Sequence, residues 1–305
     1  MEKDVGDDAE QTRNNGWPDR GPGTALLVTI ALAFGCLVLQ CCAGCPLGIL
    51  EGALAETMGL EQGTLVTHPI SLAFISVFSL GTVLLLGAWS ARIPVRELIP
   101  LGGFRPLLIV ALVPAVFGSC VALMEVATLI EWLLPMPAMM REFFEGAFGG
   151  RHTTLGSFVL AVIVAPFMEE AVFRGLLLRS MLRRWPALPA VLITSLLFAL
   201  FHANPWQFVG PLILGLLFGW LTVRTGTLWP AILAHALNNA IALTTMQLLG
   251  TDTEAQVAAE HSPQLGPLWL DLCGLACLVV GLALCVHLLR HQRPRSIRDD
   301  GAPRP

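Results

Sequence analysis

Long apolar runs recur along this chain, each near the length a helix needs to cross a bilayer core, about 20 residues. Eight stand out, at 24–45, 68–90, 106–134, 155–181, 187–203, 207–223, 228–249 and 266–289, with short charged patches between them. A backbone inside lipid must satisfy its own hydrogen bonds, so apolar runs of this length fold as helices. The chain is 55% hydrophobic and only 13% charged, where an ordinary soluble domain is about a quarter charged. The expected fold is all-α: a polytopic membrane protein of about eight transmembrane helices. The fifth and sixth runs are short, separated by Asn204-Pro205-Trp206, and can also be read as a re-entrant pair.

Basic residues give the expected orientation. They gather in the tails and in alternate loops (Arg92, Arg96, Arg105, Arg179, Arg183, Arg184, Arg224), whereas the other loops carry only Arg141 and Arg151. Positive-inside placement then puts both termini in the cytoplasm. The expected organisation is a disordered tail at 1–23, N-terminal helices and an external loop at 24–152, and a catalytic helical unit at 153–247. A last external loop and helix at 248–289 and a basic tail at 290–305 complete it. The mixed-charge stretch 135–154 reads as an external loop that can form an amphipathic surface helix. Net charge is −4, and no basic stripe calls for nucleic acid as a partner; the bilayer is the expected one. Cys36, Cys120, Cys273, Cys277 and Cys285 lie in apolar runs and read as small hydrophobes rather than as disulfide partners.

Against this background three groups of polar residues are out of place. In the fourth run, Glu169, Glu170 and Arg174 follow Pro166. A charge at membrane depth costs a few kcal/mol or more, which makes such residues candidates for function. Glu170 and Arg174 stand four apart with the acid first, the favourable order for a helical ion pair. Glu169 points about 100° away, free to act as a general base. Pro166 removes a backbone donor one turn earlier. In the fifth run, Phe198 and His202 share a face; in the seventh, His235 and Asn239 do, with Asn238 close by. Each group has a plainer reading as an ion pair or interhelical clamp. Glu125 in the third run stays unassigned.

Depth offers a comparison. Glu169 and His202 lie equally far from a turn at Trp185-Pro186, about 22 Å at 1.5 Å per residue. His235 lies only seven residues past Leu228, which in an even slab leaves it too shallow. Other membrane chemistries lack their residues: there is no His-Glu-x-x-His, no Gly-x-Ser-Gly and no Gly-x-Gly-Asp, and the only lysine is Lys3.

The set Glu169-Glu170-x-x-x-Arg174, Phe198-x-x-x-His202 and His235-x-x-x-Asn239 resembles the signature of the CAAX protease and bacteriocin-processing family of intramembrane proteases, which includes the type II CAAX prenyl endopeptidases. The resemblance covers about residues 153–247. It implies a helical fold with an intramembrane active-site cavity and cleavage of a membrane-associated peptide or protein. It also implies Glu169 as the base that activates water, Glu170 and Arg174 as its supports, His202 as a holder of water or metal, and His235 and Asn239 as oxyanion donors. Both a zinc mechanism, with Glu169, His202 and His235 as ligands, and a metal-free glutamate mechanism are consistent with these residues. A non-catalytic membrane scaffold and a transporter are the alternatives from other classes.

Overall fold

A computed structural model describes residues 31–32, 34–35, 38, 48–54, 68–91, 94–148, 154–249 and 265–290. The described residues are helical, with no strand among them. In chain order the helices are α1 (Pro69–Ala91), the short α2 (Val95–Leu98), α3 (Leu107–Leu133), α4 (Ala138–Phe148), α5 (Leu155–Leu182), α6 (Ala187–Phe201), α7 (Val209–Thr225), α8 (Trp229–Leu249) and α9 (Leu268–Leu289). Four of them, α1, α3, α5 and α9, are long and apolar enough to cross a membrane by length and composition, and α6 and α7 are shorter apolar helices. Seven of the eight apolar runs coincide with helices at nearly the expected bounds; the run 24–45 and the tails lie mostly or wholly outside the described residues.

The helix boundaries follow local chemistry. Proline precedes α2, α3, α6 and α9 (Pro94, Pro106, Pro186, Pro267), where a missing N–H costs nothing. Gly226, at φ 70°, ends α7 in the left-handed conformation that glycine adopts without strain. α4 realises the surface helix expected within 135–154, tied to α3 by an Arg141–Glu131 ion pair at 3.0 Å.

α5 occupies the centre. Every residue from Ala171 to Leu178 is buried, packed on one side against Leu80, Val83, Leu84 and Ala88 of α1 and on another against Phe198 and Phe201 of α6. A second cluster joins α3, α7, α8 and α9. Small residues let α3 and α9 pack closely: a Cβ at Gly118 would collide with Gly274 O, and one at Gly281 with Ala115 N. Leu233, Leu272, Val279, Val286 and many residues of α1 and α3 point outward, as lipid-facing side chains do. Glu125, unassigned from sequence, accepts from Gly266 N at 2.9 Å and so ties α3 to the segment leading into α9.

α5 is not one regular helix. Val159–Val164 and Ala171–Leu178 are wound as π-helix on either side of the α-helical Ala165–Glu170. The first π stretch directly precedes Pro166, whose ring would crowd the carbonyl one turn back in a regular helix; a wider turn relieves that clash. Such turns concentrate at functional sites, and both border the segment carrying Glu169 and Glu170.

Candidate active site

Glu170 is the hub. Its Oε1 accepts from Arg174 Nη1 and from His235 Nδ1, each at 2.9 Å. The helical pair expected from the four-residue spacing is therefore formed, although the backbone between its members is π-wound. Both partners are fully buried, at 0% and 1% exposure. An ion pair so far from water is costly unless further hydrogen bonds offset its desolvation. Arg174 adds one from Nη2 to Gly215 O at 3.3 Å, whereas Glu170 Oε2 is buried with no hydrogen-bond partner among the described residues. Its guanidinium also lies over the Phe198 ring at 4.3 Å and the Phe218 ring at 5.5 Å, positions that favour a cation electrostatically.

His235 is held on three sides. Glu170 takes Nδ1, which therefore carries the proton. Phe218 stacks on the imidazole, with centroids 5.1 Å apart and planes at 22°. Phe198 meets it edge-on at 5.8 Å. The remaining ring nitrogen, Nε2, faces Glu169 Oε2 at 3.8 Å. That oxygen is buried and has no hydrogen-bond partner among the described residues, although the Glu169 side chain as a whole stays 13% exposed. A gap of this width between a ring nitrogen and an unpartnered carboxylate oxygen is the size that one bridging water fills.

His202 is half-buried at the end of α6. Its Nδ1 bonds to Phe198 O at 2.9 Å. A carbonyl only accepts, so Nδ1 carries the proton and Nε2 keeps its lone pair. Its ring meets the other face of the cluster through Phe198, centroid to centroid 5.1 Å. The next residue, Ala203, stands at φ 52° and turns the chain out of the helix immediately after His202.

Asn239 lies one turn beyond His235 on α8. Its Nδ2 donates to Ala161 O at 2.9 Å, and its Oδ1 accepts from Asn238 Nδ2 at 3.1 Å. Cys120 Sγ, from α3, in turn donates to Asn238 Oδ1 at 3.2 Å.

The structure thus joins Glu169, Glu170, Arg174 and His235 directly, brings His202 to them through Phe198, and fixes Asn239 against α5. The depth mismatch expected for His235 is not realised, because its Nδ1 bonds Glu170 Oε1 at 2.9 Å and the two side chains therefore lie at one level. Thr227 and Leu228 are fully buried and bound to the 100–102 segment by Thr227 Oγ1 to Gly102 O at 2.8 Å and Leu228 N to Pro100 O at 2.9 Å. Gly215 and Phe218 were not evident beforehand: an apolar residue in an apolar helix carries no local signal. Cys120 likewise read as a plain hydrophobe.

Glu169, His202 and His235, the residues expected to hold zinc if a metal is used, do not stand as a ready-made three-ligand cluster. Among the described residues no three His, Cys, Asp or Glu side chains converge closely enough for an ion. His235 Nε2 and Glu169 Oε2, at 3.8 Å, are farther apart than the roughly 3.3 Å between two tetrahedral zinc ligands.

Comparison with known proteins agrees with the motifs. Residues 151–241 match the family model of the type II CAAX prenyl endopeptidase Rce1-like proteins, a range that contains Glu169, Glu170, Arg174, Phe198, His202, His235 and Asn239. A protein of Bacillus subtilis (strain 168) named "Putative membrane peptidase YdiL" is 30% identical over 81 residues, covering 27% of this chain and 33% of that protein. The alignment therefore spans about a third of the relative's length. No solved structure matches the chain. The resemblance read from three short motifs is borne out: residues 151–241, which hold all three, match the Rce1-like family model.

Proposed function

We propose that the protein is an intramembrane endopeptidase that hydrolyses a peptide bond of a membrane-associated protein or peptide with water activated by Glu169. The observation that carries this reading is the unpartnered, buried Glu169 Oε2 facing His235 Nε2 across 3.8 Å. Buried polar atoms are nearly always bonded, so an orphan beside a histidine is a place for a polar reactant. The family match and the membrane-peptidase name of the relative support the same class of activity.

In this proposal water sits between Glu169 and His235. Glu169 takes its proton as the oxygen attacks the scissile carbonyl carbon, and the carbonyl π electrons become an oxyanion. Asn239, with one N–H left after bonding Ala161 O, and His235, as imidazolium donating through Nε2, bind that oxyanion. Glu169 then passes the proton to the departing nitrogen as the C–N bond breaks. Glu170 and Arg174 hold His235 from behind, and His202 Nε2 accepts from the attacking water. Substrate enters from the bilayer into a cavity lined by Glu169 and His202, and both termini face the cytoplasm, as the basic residues favour.

The test is cleavage of a farnesylated peptide ending in a CAAX box, in liposomes. The wild type should cleave it, and Glu169→Gln and His202→Ala should not. Cleavage that survives both substitutions overturns the proposal. Dialysis against a chelator should leave the wild-type rate unchanged; loss that zinc restores would assign the water to a metal instead.

A further inference from the structure

We infer that Pro166 is a positioning residue for Asn239, and that it acts by withholding a backbone N–H. In the π-wound stretch each amide bonds five residues back: Ala165 N donates to Leu160 O. The next amide in this register would come from residue 166 and would bond Ala161 O. Residue 166 is proline, which has no N–H. Ala165, the donor Ala161 O would have in a regular α-helix, is already committed to Leu160 O. Ala161 O thus loses both ordinary helical donors, and Ala161 is half-buried against α8, where a carbonyl still calls for one. Asn239 Nδ2 supplies it, at 2.9 Å from across the interface with α8.

This bond sets the polarity of the whole side-chain chain. Ala161 O can only accept, so the nitrogen of the Asn239 amide must face it and Oδ1 must face away. Oδ1 accepts from Asn238 Nδ2, which turns Asn238 Oδ1 toward the Cys120 thiol. With the Asn239 amide plane pinned at both ends, its second N–H has one direction left. Pro166, three residues before Glu169, thereby couples the base-bearing helix to the amide that faces the oxyanion. A proline that merely loosened α5 would leave Asn239 indifferent to it.

The inference rests on the proposed role of Asn239. The test is a double-mutant cycle of Pro166→Ala and Asn239→Ala, measured as kcat and KM on the same farnesylated peptide in liposomes. Pro166→Ala returns an N–H that competes for Ala161 O. It should lower kcat about tenfold, less than the loss of a whole oxyanion donor, with KM within about twofold and a melting temperature no lower than wild type, since a helix gains from losing an internal proline. In the Asn239→Ala background, Pro166→Ala should change kcat by less than about twofold, because coupled residues are not additive. Wild-type kcat in Pro166→Ala, full additivity in the cycle, or a protein that no longer accumulates or melts lower each overturn the inference. Cleavage retained by Glu169→Gln overturns instead the reading of the site on which it stands.

Discussion

Glu169 Oε2 and His235 Nε2 face each other at 3.8 Å, and the oxygen has no other partner among the described residues. Glu169 Oε2 thus has no protein hydrogen bond to lose on substitution. Glu169→Gln is expected to lower the cleavage rate at least about 100-fold, as for loss of a general base, while leaving the melting temperature in detergent unchanged or higher. Rate assays and thermal denaturation on one preparation check both halves. A large fall in melting temperature would mean that the charge is structural.

Glu170 is expected to behave in the opposite way. It holds Arg174 and His235 at once, and both it and Arg174 are shut off from water. Glu170→Gln leaves a guanidinium buried without its counter-charge, at a cost of about 3–5 kcal/mol. Denaturant or thermal unfolding should show this loss. A double variant, Glu170→Gln with Arg174→Met, should be less destabilised than Glu170→Gln alone, because the stranded charge has gone.

Ala203 carries backbone strain at φ 52°. An alanine there is disfavoured relative to glycine by roughly 1 kcal/mol, partly offset by the entropy glycine loses on folding. Ala203→Gly should raise the melting temperature by about 1–2 °C, and Ala203→Val should lower it. If glycine brings a fall instead, the turn after His202 is maintained by contacts of the alanine methyl.

The α3–α9 contact gives a test of the fold remote from the site. A Cβ at Gly281 meets the backbone nitrogen of Ala115, which cannot move as a side-chain tip can. Gly281→Ala should therefore destabilise by about 1–3 kcal/mol, read as a lower melting temperature, with the kcat of the folded fraction unchanged.

The amino-acid sequence by itself determined whatever depends on neighbours along the chain. Apolar runs of spanning length became helices, prolines marked their starts, and the four-residue spacing of Glu170 and Arg174 paired them. Three motifs of local spacing were enough to point to the family. Only the tertiary structure decided which partner each motif residue took. It gave His235 Nδ1 to Glu170 and left Nε2 opposite Glu169. It placed Phe218 and Gly215 of α7 beneath Arg174 and His235, and it brought Asn239 to Ala161. Helical periodicity determines which side chains share one face of one helix. How deep that helix sits and which neighbour it crosses depend on close packing, as where Gly118 lies on Gly274 or Leu228 is bound beneath Pro100. Those contacts join residues far apart in the chain, and no local pattern encodes them.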